Sequence, residues 1–141
     1  MGNENISIQE RTENFAIRVV KAYSELNKRH FADGRGLGGF PHERPVQEDD
    51  AGKILSKQFL RSGTSIGANC SEAVYAQSNK DFISKYSIAL KEANETLYWI
   101  KIMIKSDLVS KTRFQKMIEE NERIIKILTV SINKLKQKQS T

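Results

Sequence analysis

At 141 residues, with 38% hydrophobic side chains, the chain is long enough to bury one core without staples. Its single cysteine excludes an internal disulfide framework and suits a reducing, cytoplasmic setting. The net charge of +6 is uneven: residues 1–50 carry 7 basic and 9 acidic side chains, residues 51–141 carry 16 and 8. Such an excess fits attraction to nucleic acid or another anionic surface, and equally the lysine-rich exterior of a soluble helical protein. The opening MGNENISIQERTEN lacks the apolar segment of a secretory signal. No apolar run approaches the ~18 residues of a membrane span. Gly2 fits an N-myristoylation start, but Ile6 stands where that pattern needs serine or threonine.

Hydrophobic periodicity predicts four helices, at about 7–29, 49–77, 79–106 and 111–137, in one all-α domain. In the first, Phe15, Val19, Tyr23 and Leu26 form one stripe, with Ala16 and Val20 alongside. Ser7 followed by Glu10 is the S-x-x-E signature of a capping box. Opposite the stripe, Arg11, Arg18, Lys21 and Lys28 fall on one face and form a first candidate nucleic-acid surface.

A loop is expected over about 30–48, where both prolines and half the glycines gather. Leu37, Phe40 and Val46 are its candidate anchors to the helices. His30 and His42 are the only histidines, and no ligands accompany them at metal-binding spacing, so neither metal nor cofactor is expected.

The second helix is expected to start at Asp49 or Asp50, whose carboxylates suit a positive helix end. Its stripe is Leu55, Phe59, Ser62, Ile66, Asn69 or Cys70, and Ala73, bulky at first and small from Ser62 onward. Gly63 and Gly67, four apart, predict a close helix approach, because glycine otherwise costs about 1 kcal/mol in a helix interior. A phosphate-cradling loop is excluded: there is no G-x-x-x-x-G-K-[ST] and no preceding strand. Lys53, Lys57 and Arg61 step by four and give a second candidate nucleic-acid surface.

Ser78 is the expected N-cap of the third helix, with Asp81 in its first turn. Ile83, Tyr86, Leu90, Ala93, Leu97, Ile100 and Ile104 repeat as an unbroken heptad seam. Phe82, Tyr98, Trp99 and Ile102 lie off it, so a second apolar face exists, either for another subunit or to let Trp99 close an end of the same bundle. Ser110 caps the fourth helix, whose seam is Phe114, Ile118, Asn121, Ile125, Leu128, Ile132 and Leu135. Asn121 at a core position is a device that fixes register. The tail from Lys134 to Thr141 is expected to fray. Two short links out of three make the helices an antiparallel up-down-up-down four-helix bundle with crossings near +20°.

The blocks LSKQFLRSGTSIGANCSEA and AQSNKDFISKYSIALKEANETLYWIK resemble the four-helix proteins encoded in bacterial 23S ribosomal RNA intervening sequences (S23-like). The resemblance covers Ile54 to Leu135 well and Arg11 to Lys28 weakly; the glycine-rich segment from Ala32 to Val46 departs from it. It implies a left-handed bundle that associates into a ring-shaped homopentamer. A more distant likeness, of architecture and charge, is to the accessory proteins of diversity-generating retroelements, pentameric barrels whose positive surface binds nucleic acid and a reverse transcriptase.

The same blocks single out Arg61, Ser62, Ser65, Asn69 and Glu72, then Lys91, Glu92, Glu95 and Thr96. Glu92 and Glu95 are neighbours on one helix face. A di-metal bundle would need Glu-x-x-His motifs, which are absent, so the expectation is a buried polar core in which Arg61 or Lys91 meets Glu72, Glu92 or Glu95. No nucleophile, base and orienting group occur together, and the chain is read as no enzyme. The leading expectation is an oligomeric module that binds nucleic acid, RNA in preference, with low sequence specificity. The alternative is a structural or adaptor ring for a protein partner.

Overall fold

The computed structural model describes residues 5–35 and 46–139, and the side chains of 5–27 and 50–139. Lys28, both histidines and the expected anchors Leu37, Phe40 and Val46 fall outside the described side chains. Four helices are present, α1 (Ile8–Arg35), α2 (Val46–Ala73), α3 (Asn79–Lys105) and α4 (Lys111–Gln139), and the described residues contain no strand.

The helix ends differ from expectation where local chemistry is permissive. α1 continues to Arg35 instead of stopping near residue 29, because Gly34 alone disfavours helix there and both prolines lie further on. α2 starts directly after Pro45, a residue suited to helix starts, so Asp49 and Asp50 sit inside its first turns. It ends at Ala73 rather than 77, and the backbone N–H groups of Val74, Tyr75 and Ala76 each donate three residues back. Val74 and Tyr75 are exposed, so another helical turn would have buried nothing there. α4 stays helical to Gln139, with Lys136 and Lys138 in its last turn, where cations complement the negative helix end.

The three serine caps form. The hydroxyl oxygens of Ser7, Ser78 and Ser110 accept from the backbone N–H of Glu10, Asp81 and Arg113 at 3.1, 3.0 and 3.2 Å. At the end of α3, Asp107 takes φ 60°, and Leu108 N–H reaches Met103 C=O while Asp107 N–H reaches Ile104 C=O. That paired closure satisfies two orphan carbonyls and turns the chain toward α4.

α1 packs on α2, α2 on α3 and α3 on α4; α1 also meets α4, along the sparsest of the four seams. Thr12 faces Gly67 while Val19 faces Gly63. Arg61 meets Glu95 while Glu72 meets Lys85, and Arg11 meets Glu120 while Glu25 meets Arg113. In each case numbers rise along one helix as they fall along the other.

The core runs through all four helices, from Phe15 and Val19 through Phe59, Ile66 and Cys70 to Ile100, Ile124 and Leu128. Phe59 and Phe114 meet edge to face at 6.0 Å. On α3 the buried positions are Ile83, Tyr86, Ala89, Ala93, Thr96, Ile100 and Met103; the expected Leu90, Leu97 and Ile104 are only half-buried. On α4, Met117 and Ile124 are buried and Ile118 and Ile125 half-buried. A helix touching two neighbours buries a stripe wider than a heptad seam, and a 3.6-residue turn drifts across it.

Two contacts are built from small or polar groups. A Cβ on Gly67 would lie 3.1 Å from the Thr12 carbonyl oxygen, and one on Gly63 would lie 2.8 Å from both Val19 methyls. Only hydrogen fits between these helices. Asn121 is fully buried, and its amide, oriented as its surroundings require, donates to Ala93 C=O at 3.0 Å and accepts from Leu97 N–H at 3.2 Å. It pins α4 against one turn of α3.

Candidate nucleic-acid interface

The expected cationic stripe on α1 is divided by the structure. Arg11 is 4% exposed and forms an ion pair with Glu120 of α4 at 2.9 Å, which takes it out of the surface. Its spacing explains this: Ile8, Arg11, Phe15 and Val19 step by three, four and four, so Arg11 lies on the buried stripe. Arg18 and Lys21 are exposed, and together with Ala22, Glu25 and Met117 they line a pocket between α1 and α4. Arg113 of α4 donates to Glu25 at 2.7 Å.

On α2, Lys53 and Lys57 are exposed. Arg61 is half-exposed, but it is held by α3: it contacts Glu92 at 3.3 Å and Glu95 at 2.5 Å and also bonds Gln58. The hydrogen bond to Glu95, opposed by partial burial, raises the Arg61 pKa, and the same bond lowers that of Glu95. Glu92 is pushed up instead, first by burial and then by its bond with Glu95. The two carboxylates share one guanidinium, and the more buried of them bears the cost.

The expected buried ion-pair network is therefore a surface one, because a guanidinium at the α2–α3 rim keeps water as well as carboxylates. Glu72 does not reach Arg61 or Lys91; it bonds Lys85 at 2.9 Å, and Lys91 faces solvent. Between α2 and α3 the buried polar groups are neutral. Thr96 donates to Glu92 C=O at 2.7 Å and shares a hydrogen bond with Ser62 at 2.9 Å. Ser65 and Asn69 are half-buried and bond back to Arg61 C=O and Ser65 C=O within α2. Thr12 and Ser56 are buried too, although their hydroxyls carry no hydrophobic signal in the sequence.

Cys70 is fully buried; desolvation pushes its thiol up to about 11, against a weaker opposing bond from Thr12. Among the described residues, no three metal-ligating side chains cluster, and no helix is long and apolar enough to cross a membrane. Trp99 meets Tyr98 edge to face and packs against the core, while Tyr98 is 55% exposed.

Four helices joined in this order make an all-α four-helix protein. The model of the 23S rRNA-intervening sequence protein family matches residues 46–130, and the chain belongs to that family. Its structure is similar to the crystal structure of a protein of unknown function from the S23 ribosomal protein family of Bacteroides thetaiotaomicron: 35% sequence identity, 89% of this chain and 98% of that chain covered, TM-score 0.68. No curated protein matches the sequence.

Proposed function

We propose that this protein is a non-enzymatic, cytoplasmic module that binds nucleic acid through its basic surface, RNA in preference to DNA, with low sequence specificity. The helices run antiparallel, up-down-up-down, and the protomers associate into a ring of about five, as the family resemblance implies. The observation that carries the reading is the set of exposed cations on two faces: Arg18 and Lys21 on α1, Lys53 and Lys57 on α2. None of these has an ion-pair partner among the described residues. Repetition around a ring converts weak phosphate contacts into avidity. The family's association with 23S rRNA intervening sequences favours RNA. No alternation of aromatics with these cations offers a base-stacking platform, which is why readout by shape and charge is expected. Filter binding at two salt concentrations tests this: affinity falls steeply with salt, and no affinity for RNA or DNA at low salt overturns the reading.

An adaptor role has its own support in exposed apolar side chains, Ile54 at 60% and Tyr98 at 55%. Recovery of one protein in stoichiometric amount after nuclease treatment would favour it over nucleic-acid binding.

A further inference from the structure

The two basic faces are not equivalent. On α2, Lys53 and Lys57 stand on an outward face, and Arg61 above them is already neutralised by Glu92 and Glu95. The α1–α4 seam is different. Arg18 and Lys21 descend one wall of its pocket, and Ala22 and the buried Met117 give it an apolar floor. From α4, Arg113 reaches across to the pocket's Glu25, with exposed Lys116 three residues on along the same helix. Glu25 lines the pocket beside Arg18 and Lys21, and its carboxylate holds the Arg113 guanidinium at 2.7 Å.

We propose that the groove between α1 and α4 seats the phosphodiester backbone of the nucleic acid, with Glu25 as an internal competitor that phosphate displaces from Arg113. This rests on the nucleic-acid reading above and adds where the strand lies. Cations from two helices matter because each phosphate neutralised releases counterions, and Arg18, Lys21 and Arg113 together can neutralise more of them than two lysines on one helix. A guanidinium also pairs with phosphate as readily as with carboxylate, so exchanging Glu25 for a phosphate oxygen keeps Arg113 satisfied. Glu25 is itself mostly exposed and loses little by returning to water.

The experiment is fluorescence anisotropy at low salt with a labelled oligoribonucleotide of mixed sequence and the full chain. Arg18→Glu with Lys21→Glu should weaken binding by about tenfold or more, whereas Lys53→Glu with Lys57→Glu, an identical charge change, should weaken it several-fold less. Glu25→Gln should tighten binding, while Glu122→Gln, the same charge change at an exposed α4 position outside the groove, should leave it nearly unchanged. Equal losses from the Arg18/Lys21 and Lys53/Lys57 double variants, or equal effects of the two glutamine substitutions, overturn the groove and leave nucleic-acid binding standing. A wild-type protein without affinity overturns both. Should the Arg18/Lys21 variant lose its helical circular dichroism, the Glu25 and Glu122 arm decides.

Discussion

Two arginines separate burial from exposure at the level of single residues. Arg11 is sealed between α1 and α4 beside a mostly buried Glu120, whereas Arg61 shares Glu92 and Glu95 at a wet rim. Removing Arg11 leaves the mostly buried Glu120 with only a long contact to Arg123 at 4.0 Å, so Arg11→Ala should cost about 3 kcal/mol. Arg61→Ala should cost less than about 1 kcal/mol, because exposed pairs are screened. Urea denaturation of both variants measures the difference, and equal costs would contradict the contrast. Cys70 gives a pH prediction. Its thiol is raised from about 9 to about 11, so the folded state holds a proton that the unfolded chain releases. Stability is fully present below pH 9 and falls as pH rises toward 11. Tyr86, also raised chiefly by burial, acts in the same direction. Denaturation midpoints should therefore decline between pH 9 and 11, and a thiol reagent should label Cys70 at neutral pH only once the chain is unfolded.

Between elements, the glycine pair of α2 governs how near α1 can come. Gly63→Ala would drive a Cβ into both methyls of Val19, a branched core side chain with no free rotamer to retreat to. The expected cost is about 1–3 kcal/mol. Val19→Ala on its own opens a cavity and destabilises too, yet in the double variant the new methyl occupies the vacated space. The double-mutant cycle should show a loss smaller than the sum of the single losses, and additivity within about 0.5 kcal/mol would refute the contact. This close approach was legible in the sequence, because glycine and serine in a helix interior have few other justifications. Caps at Ser7, Ser78 and Ser110 were legible for the same reason, being local. The charge of Arg11 points to the surface, while its spacing of four from Phe15 places it on the buried stripe. On α3, Ala89 and Thr96 carry little hydrophobic signal in the sequence, yet both are completely buried. Cross-helix pairs such as Glu25–Arg113 depend on tertiary register, which no single stretch of sequence encodes.

For the whole molecule, assembly is the property that the proposed avidity requires. Light scattering should return a mass near five protomers of 16.1 kDa. A clean monomer would remove the ring and the avidity argument with it, while leaving the α1–α4 groove to be judged by its own variants. Ile17, Val20, Ile54, Ile88 and Tyr98 remain 40–60% exposed on one chain, a load of apolar surface that a second copy would relieve.

Gly67 has a different implication. What it touches on α1 is the main chain of Thr12 and Glu13, atoms that every amino acid supplies. The receiving helix lies inside the family match, which starts at Val46, and the helix it receives lies before it. At this contact the recognition is blind to side chains: α2 accepts the shape of a bare helix rather than a motif. Substitution at the exposed Glu13 leaves these main-chain atoms in place, so α1 can change its surface chemistry there, and with it the ligand it meets, while docking in the same slot.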